Sequence, residues 1–283
     1  MKKLLLTTIT AAGLVLSGQA AATPFYLDLS DDGMVNPVGE IDQLDLSYVS
    51  NTEVDTATGS LVTRAGISLI GYTFGGVTAP AYTDLEDLVT ESGGETNTFT
   101  STPNFPGAGL DVTGPSWTKL TFDLYLEGTL TPTVGVDYTS GYLDIYSFDA
   151  FDYGAGATQV MTTELFAGGI NPGEQVVQSL VTSTSITAAG QDMFFFGDGV
   201  TFQSFEDYIS ATLVDIILEA SQTVSVLELE QNIANSTITN GTTVLVSDDH
   251  NAGVEFRVPA PATIALFGLG LLGLAGSTRK RRS

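Results

Sequence analysis

Acidic side chains crowd the segment that follows residue 27 and could bind a divalent cation. Asp28, Asp31 and Asp32 stand close together, with Asn36 and Glu40 a few residues downstream. Calcium takes about six to eight oxygen ligands, and closely spaced carboxylates around a glycine turn can converge on one ion. The spacing does not fit an EF-hand. The five residues therefore predict either a calcium site or a solvated acidic loop.

A second group mixes carboxylates with aromatic rings. Aromatic rings stack on the apolar CH faces of sugars, and carboxylates accept hydrogen bonds from sugar hydroxyls. Aromatic residues on strands also pack against their neighbours, so packing is the alternative interpretation. The members of the group are Asp137, Tyr138, Tyr142, Asp144, Tyr146, Phe148, Asp149, Phe151, Asp152 and Tyr153.

The one histidine of the chain, His250, directly follows Asp248 and Asp249. A histidine oriented by a carboxylate can act as a general base. No Gly-x-Ser-x-Gly motif supplies a nucleophile. The segment also lies just before a Pro-x-Pro signal, so we expect a loop between the last two strands.

Other catalytic chemistry has little support in the composition. The chain has no cysteine, which excludes thiol catalysis, disulfides and thiolate metal sites. With 33 acidic residues, some pair always has a separation suited to glycoside hydrolysis, so that signal is uninformative. We expect no enzymatic activity.

The charge is distributed very unevenly along the chain. Residues 23–257 contain three basic residues and all 33 acidic ones. A surface this acidic repels phosphate backbones, so nucleic acid is excluded as a partner.

The elements that must position these groups are predicted to be strands. Residues 120–127 alternate strictly, with leucine and phenylalanine on one face and threonine, aspartate, tyrosine and glutamate on the other. Threonine, valine, tyrosine and phenylalanine are frequent and favour strands, and glycine-rich segments separate them. We expect an all-β ectodomain over residues 23–257, an antiparallel β-sandwich with Gly/Thr-rich loops, a jelly-roll arrangement included.

Three local patterns refine this expectation. Asn240-Gly241 before a run of threonine and valine predicts a hairpin. Residues 85–89 and 205–209 are typical of short helical turns. The apolar stretch 209–229 fits a buried strand pair or a helix, and Ser221-Gln222-Thr223 in its middle favours two strands.

The N-terminus has the features of a secretory signal peptide over residues 1–22. Lys2 and Lys3 precede a mostly apolar run at residues 4–16, and small residues follow, with Ala20 and Ala22 as the cleavage signal. Because the apolar run is shorter than a membrane span, we expect cleavage by signal peptidase.

The C-terminus, residues 258–283, has three parts in order. Val258, Pro259 and Pro261 come first, then the uncharged apolar stretch 262–277, and then the basic residues Arg279, Lys280, Arg281 and Arg282. The apolar stretch predicts a short transmembrane helix, and the basic end places that terminus in the cytoplasm and the acidic body outside. A plain C-terminal membrane anchor is the alternative interpretation, because it would have the same apolar stretch and basic end.

This order resembles the PEP-CTERM sorting signal of Gram-negative bacteria, and the resemblance is confined to the C-terminal tail together with the signal peptide. Ala260 stands where the family name implies glutamate. The resemblance implies export through the inner membrane and recognition by exosortase, a membrane cysteine transpeptidase. It also implies an association with extracellular polysaccharide and with biofilm or floc.

Two functions follow as hypotheses. The first is an exported, exosortase-processed surface or extracellular-matrix protein with a structural or adhesive role in exopolysaccharide. The alternative is a secreted carbohydrate-binding or carbohydrate-active protein that uses Asp and Glu on a β-sandwich. No cofactor is expected beyond the calcium ion discussed above.

Overall fold

The computed structural model describes residues 23–29, 38–76, 82–92, 96–101, 118–149, 151–171, 174–222, 226–237 and 239–258. Fourteen strands lie within these ranges. They are β1 (Phe25–Leu27), β2 (Val38–Asp55), β3 (Ser60–Gly66), β4 (Thr96–Ser101), β5 (Thr118–Thr131), β6 (Gly135–Asp149), β7 (Ala157–Met161), β8 (Glu164–Asn171), β9 (Glu174–Val181), β10 (Phe194–Gly197), β11 (Phe202–Ser204), β12 (Ile216–Gln222), β13 (Thr239–Asn240) and β14 (Thr243–Arg257).

Helices are few among the described residues. Two single 3₁₀ turns cover Ile67–Leu69 and Tyr153–Ala155. The α-helices are α1 (Leu85–Ser92), α2 (Phe205–Thr212) and α3 (Val226–Asn235). The expectation of an all-β, antiparallel body is confirmed.

The strands form one sheet that closes on itself. The order β2-β3-β5-β6-β8-β9-β12-β14 is completed by a pairing of β14 with β2, so eight strands make a closed ring. That last pairing is long, from Thr243 opposite Asp55 to Val254 opposite Leu44. The expected sandwich of two separate sheets is therefore not the hydrogen-bonded arrangement. The 18 residues of β2 are enough to pair with β14 and then β1 along one side and with β3 and β4 along the other.

The inside of the ring holds the main core. On β5, Leu120, Phe122, Leu124 and Leu126 are buried, as the alternation predicts. The opposite face of this strand was expected to face water, yet Asp123 on that face is also buried. The segment after β3 covers it, as described below.

The apolar stretch 209–229 is not a strand pair. It contains the end of α2, the single strand β12 and the start of α3. Helix α2 begins at Ser204, whose hydroxyl accepts a hydrogen bond from the backbone N–H of Asp207 (3.1 Å), a standard N-cap. In α3, Val226 and Leu229 are buried three residues apart, a helical spacing. The helical expectations at residues 85–89 and 205–209 are confirmed.

Two further features concern the end of the chain. The hairpin at Asn240-Gly241 is confirmed, because β13 pairs with β14 there and Gly241 takes φ 63°. The backbone N–H of Thr23 donates to the carbonyl of Phe256 (3.0 Å), and the rings of Phe25 and Phe256 lie 4.8 Å apart. Both ends of the described body therefore lie side by side.

Within the part of the chain that the structure describes, no helix combines the length and apolar character needed to cross a bilayer. The stretch 262–277, for which a transmembrane helix is predicted, lies outside those residues.

Candidate functional site

A row of tyrosine and aspartate side chains lies on the outer face of β5 and β6. The two strands pair so that Tyr125 is opposite Tyr142, Asp123 opposite Asp144, and Thr121 opposite Tyr146. Successive pairs on one face are two residues, or roughly 6.8 Å, apart along the strands. We call Asp123, Tyr125, Tyr142, Asp144 and Tyr146 the Tyr–Asp ladder.

At the Tyr125–Tyr142 pair, the ladder is a stack of rings beside the guanidinium group of Arg64. The rings of Tyr125 and Tyr142 are stacked, with centroids 5.8 Å apart and planes 20° from parallel. The Arg64 guanidinium lies 5.3 Å from the ring centre of Tyr125 and 5.3 Å from that of Tyr72. Arg64 also forms an ion pair with Glu53 (2.5 Å). The stack is therefore fixed by cation–π contacts and an ion pair together.

Hydrogen bonds from the phenol groups fix the orientation of the rings. The hydroxyl of Tyr72 donates to Glu53 (2.8 Å), and that of Tyr125 donates to Glu127 (2.6 Å). The hydroxyl of Tyr142 donates to Asp123 (3.1 Å). These three phenols thus point at carboxylates, and the three side chains are half-buried.

The two aspartates of the ladder lie beneath the rings and are themselves held by the fold. Asp123 accepts from the backbone N–H of Ser68 (2.7 Å). Asp144 accepts from the backbone N–H of Thr163 (2.7 Å) and from the amide of Gln159 (2.7 Å). With the Tyr142 hydroxyl on Asp123, every carboxylate oxygen of the pair accepts a hydrogen bond.

Burial changes the protonation of this pair. Desolvation, with a smaller contribution from the neighbouring charge of Asp123, raises the pKa of Asp144 to about 6. Desolvation also raises the pKa of Asp123, against the hydrogen bonds it accepts from Ser68 and Tyr142. Both carboxylates are buried beneath the rings, and the bonds from Ser68, Tyr142, Gln159 and Thr163 fix their positions.

Two glycines make this arrangement possible. Gly66, at the end of β3, has φ 71°, and a Cβ there would meet the carbonyl oxygen of Phe122 at 2.1 Å. This left-handed residue directs the chain outward so that Ser68 reaches Asp123. Gly141, before Tyr142, has φ 148°, and a Cβ would meet the carbonyl oxygen of Tyr125 at 2.2 Å. Only glycine allows the two strands to approach so closely there.

The acidic and aromatic group that the sequence singles out is divided by a bulge in β6. The register shifts after Glu127, which is opposite Ser140 while Gly128 is opposite Tyr138. The extra residue reverses which residues face outward. Tyr138 therefore points into the core, whereas Tyr142, Asp144 and Tyr146 form part of the ladder.

The rest of that group lies elsewhere. Phe148 is buried and stacks on Tyr153 (5.8 Å) in a small separate core with Leu69 and Leu88. Sequence reasoning missed Arg64 and Tyr72 as ladder neighbours. Arg64 lies opposite Tyr125 because β3 pairs with β5, and no local sequence pattern predicts that pairing.

Asp248, Asp249 and His250 lie in the middle of β14, not in a loop, so that expectation was wrong. They pair with Ser50, Val49 and Tyr48 of β2. The loop interpretation followed from the local charge, which says nothing of a partner strand about 200 residues away.

His250 belongs to a group of polar side chains inside the ring. His250 Nε2 and the hydroxyl of Ser50 share a hydrogen bond of 2.7 Å. Desolvation lowers the pKa of His250, against the charges of Asp248, Asp249 and Glu228. We define the inner polar cluster as Tyr48, Ser50, Tyr138, Gln175, Gln222 and His250.

A relay of hydrogen bonds crosses the interior through this cluster. The Tyr48 hydroxyl donates to Gln222 (3.0 Å), the Gln222 amide donates to Gln175, and the Gln175 amide donates to Tyr138 (2.6 Å). The adjoining cavity has a volume of about 30 Å³, enough for a water molecule but not for a sugar. The relay joins β2 to β6 across the ring.

The calcium interpretation stays a prediction. Asp28 is buried at 3 % exposure, and Glu40 belongs to β2. The side chains of Asp31, Asp32, Asn36 and Glu40 are outside what the structure describes. Among described residues, no three His, Asp or Glu side chains are grouped to hold a metal ion. A melting temperature lowered by EDTA would be the expected result for a calcium site.

Residues 257–282 match the model of the PEP-CTERM protein-sorting motif. The chain carries a PEP-CTERM sorting signal. Comparisons with curated proteins and with solved structures gave no match. The PEP-CTERM match confirms the resemblance seen in the sequence and indicates an exported protein that is processed by exosortase.

The PEP-CTERM motif begins at Arg257, the last residue of β14, so it follows the folded body without a linker. Val258 is the last described residue and packs against the main core. Three groups of expected sites lie outside the described residues: the prolines Pro259 and Pro261, the basic end from Arg279 to Arg282, and the cleavage signal Ala20 and Ala22.

Proposed function

We propose that this protein is an exosortase-processed component of the cell surface or extracellular matrix, with a structural or adhesive role in exopolysaccharide. The observation that carries the proposal is the sorting motif at residues 257–282. Signal peptidase and exosortase are its processing partners. Its role in the matrix is non-enzymatic.

The composition of the body supports this role. The chain has a formal net charge of −24 at pH 7. Such a charge keeps chains soluble and apart, and divalent cations then screen or bridge them. A matrix protein with these properties stays dispersed during export and associates once it is outside.

Carbohydrate binding or turnover is the second candidate function, and the Tyr–Asp ladder favours binding. Half-exposed stacked rings with carboxylates beside them suit a sugar surface. Asp123 and Asp144 are buried beneath the rings, which shields them from a bound sugar and favours binding over hydrolysis.

The test is the intact mass and the cell fraction of the native protein. We expect a mass that starts near Thr23 and ends between residues 258 and 262, in the surface or matrix fraction. Any excess mass would report an attached group. A mass that retains Arg279 to Arg282, found in the inner membrane, would overturn the sorting claim.

A pair of variants sharpens this test. Pro259→Ala with Pro261→Ala alters the sorting motif and should leave the protein unprocessed. Pro172→Ala lies outside the motif and should be processed normally. Normal processing of both would show that the motif is not what exosortase reads.

A further inference from the structure

The tyrosine side chains of the ladder are partly accessible on the outer face of the sheet. Tyr125, Tyr142 and Tyr146 are half-buried, whereas Asp123 and Asp144 beneath them are buried at 7 % and 8 % exposure. An outer strand face needs no stacked aromatic pair to be soluble, because polar side chains serve there equally well. The sides of Tyr142 and Tyr146 that neither Tyr125 nor Arg64 covers therefore form a surface that can receive a ligand.

The geometry of the rings suits a flat, partly apolar ligand. The stacked pair Tyr125 and Tyr142 crosses two strands, and Tyr146 follows two pairs further along the same face. Pyranose rings present apolar CH faces that pack on aromatic rings. Rings that repeat along a strand can contact successive units of a chain rather than one isolated sugar.

Hydrogen-bond acceptors border the rings. Glu127 is exposed and already holds the hydroxyls of Tyr125 and Ser140 at 2.6 and 2.7 Å. Glu53 stands on the far side of Arg64, where it accepts from Arg64 and Tyr72. Each carboxylate oxygen can accept more than one hydrogen bond, so these acceptors remain open to ligand hydroxyls.

The charge of this surface selects among sugars. Four carboxylates, Glu53, Glu127, Asp123 and Asp144, lie on or beside this surface. The described cations of the same face are Arg64, which is already paired with Glu53, and Lys119, two residues before Thr121 on β5. A uronate or sulfate group placed beside the stacked rings would therefore meet more like charges than opposite ones. An uncharged sugar has hydroxyl donors for the acceptors and carries no such penalty.

We propose that the Tyr–Asp ladder, with Arg64 and Glu127 at its border, is a binding site for an uncharged polysaccharide chain. This inference rests on the proposed matrix role and names the ligand class and the surface that would serve it. Tyr142 and Tyr146 supply the stacking contact, because Tyr125 lies between Tyr142 and the Arg64 guanidinium. The buried aspartates hold the rings in place and take no part in bond cleavage.

The test measures binding by the processed protein purified from whichever cell fraction contains it. The probes are a soluble neutral β-glucan and polygalacturonate, at the same salt concentration. We expect binding to the neutral glucan and weaker or absent binding to the polyuronate. Because a stacked aromatic contributes a modest free energy, Tyr142→Ala should weaken neutral-glucan binding by roughly five- to ten-fold.

Matched variants distinguish the site from a loss of folding. Phe166→Ala removes an aromatic ring that is 49 % exposed on β8, outside the ladder, and should leave binding unchanged. Tyr142→Phe keeps the ring and should retain most of the binding. Unfolding curves for each variant show whether the body is still folded when binding is lost.

Each other outcome overturns a defined part of the proposal. Equal or tighter binding of polygalacturonate overturns the ligand class. Release of shortened glucan overturns the non-catalytic assignment. Equal effects of Tyr142→Ala and Phe166→Ala overturn the location. If the protein is correctly processed into the matrix but binds neither polymer, the binding site is overturned and the matrix role stands. If the protein is retained in the inner membrane but binds glucan, the matrix role is overturned and the binding site stands.

Discussion

The outer ladder and the inner polar cluster lie on opposite faces of the same closed sheet but have different structures. Inside the ring, Tyr48, Gln222, Gln175 and Tyr138 bond to one another in a relay that spans the interior. On the outer face, the phenols of Tyr125 and Tyr142 each bond to a carboxylate, and their side chains stay half-buried. The comparison indicates that the inner cluster specifies the closed fold, whereas the ladder presents a surface.

The largest expected difference is between one tyrosine from each region. Tyr48→Ala removes a buried ring that packs 5.2 Å from Phe122 and 5.1 Å from His250. It should lower the free energy of unfolding by about 3–5 kcal/mol, since it also leaves a cavity. Tyr125→Ala, on the half-exposed ladder, should cost about 1 kcal/mol. Urea unfolding measures both, and equal losses would remove the distinction between the regions.

Gln222→Leu tests the relay without removing a ring. The change leaves the Tyr48 hydroxyl without its acceptor and Gln175 without a donor, so we expect a loss of about 1–3 kcal/mol. Gln178→Leu on β9 is the control. It removes the hydrogen bond that the Gln178 amide donates to Glu219, which lies outside the main core. A smaller effect for Gln222→Leu than for Gln178→Leu would argue against the relay.

The pH dependence of stability should have opposite signs in the two regions. The pKa of Asp144 is raised to about 6, so its folded form holds a proton that the unfolded form releases. Its contribution is present below pH 3.8 and is lost as the pH rises through about 6. The pKa of His250 is lowered from 6.5, so its contribution is present above pH 6.5 and is lost on acidification through the folded-state pKa.

Two variants separate these effects. Asp144→Asn should reduce the loss of stability on raising the pH from about 4 to about 6, leaving the part that the raised pKa of Asp123 contributes. His250→Gln should remove the loss below pH 6.5. Unfolding free energies measured in urea between pH 4 and pH 8 provide the check, and two variants with the same pH profile as the wild type would contradict both assignments.

The smallest expected effect concerns a single hydroxyl. Tyr142→Phe removes the hydrogen bond to Asp123, which lies at the edge of solvent, and should cost less than about 1 kcal/mol. Neutral-glucan binding should be nearly unchanged. If Tyr142→Phe loses as much binding as Tyr142→Ala, the hydroxyl rather than the ring makes the contact.

Local sequence patterns predicted individual strands and turns better than they predicted which strands pair with each other. The alternation at residues 120–127 identified β5 and its core face, and Asn240-Gly241 identified a hairpin. The closure of the ring depends on pairing between β2 and β14, which are far apart in the chain. No local sequence pattern predicts that pairing. For the same reason His250 was assigned to a loop although its partner is Ser50.

The candidate site was predicted only in part. Tyr142, Asp144 and Tyr146 were singled out from the sequence, but so was Tyr138, which the β6 bulge turns into the core. A bulge adds one residue to a strand, so the residues after it point to the opposite face of the sheet. Glycines such as Gly141 indicate the position of a bulge only weakly. Arg64 and Tyr72 join the site through tertiary pairing alone.

The direct continuation of β14 into the sorting motif has a mechanical consequence. A body attached through its C-terminus bears any pulling force at Arg257. Force applied there passes into a strand bonded to β12 on one side and to β2 on the other. An attachment at this point would load β14, which pairs with β2 over 12 residues and with β12 over 5, so many hydrogen bonds would have to break before the body unfolded.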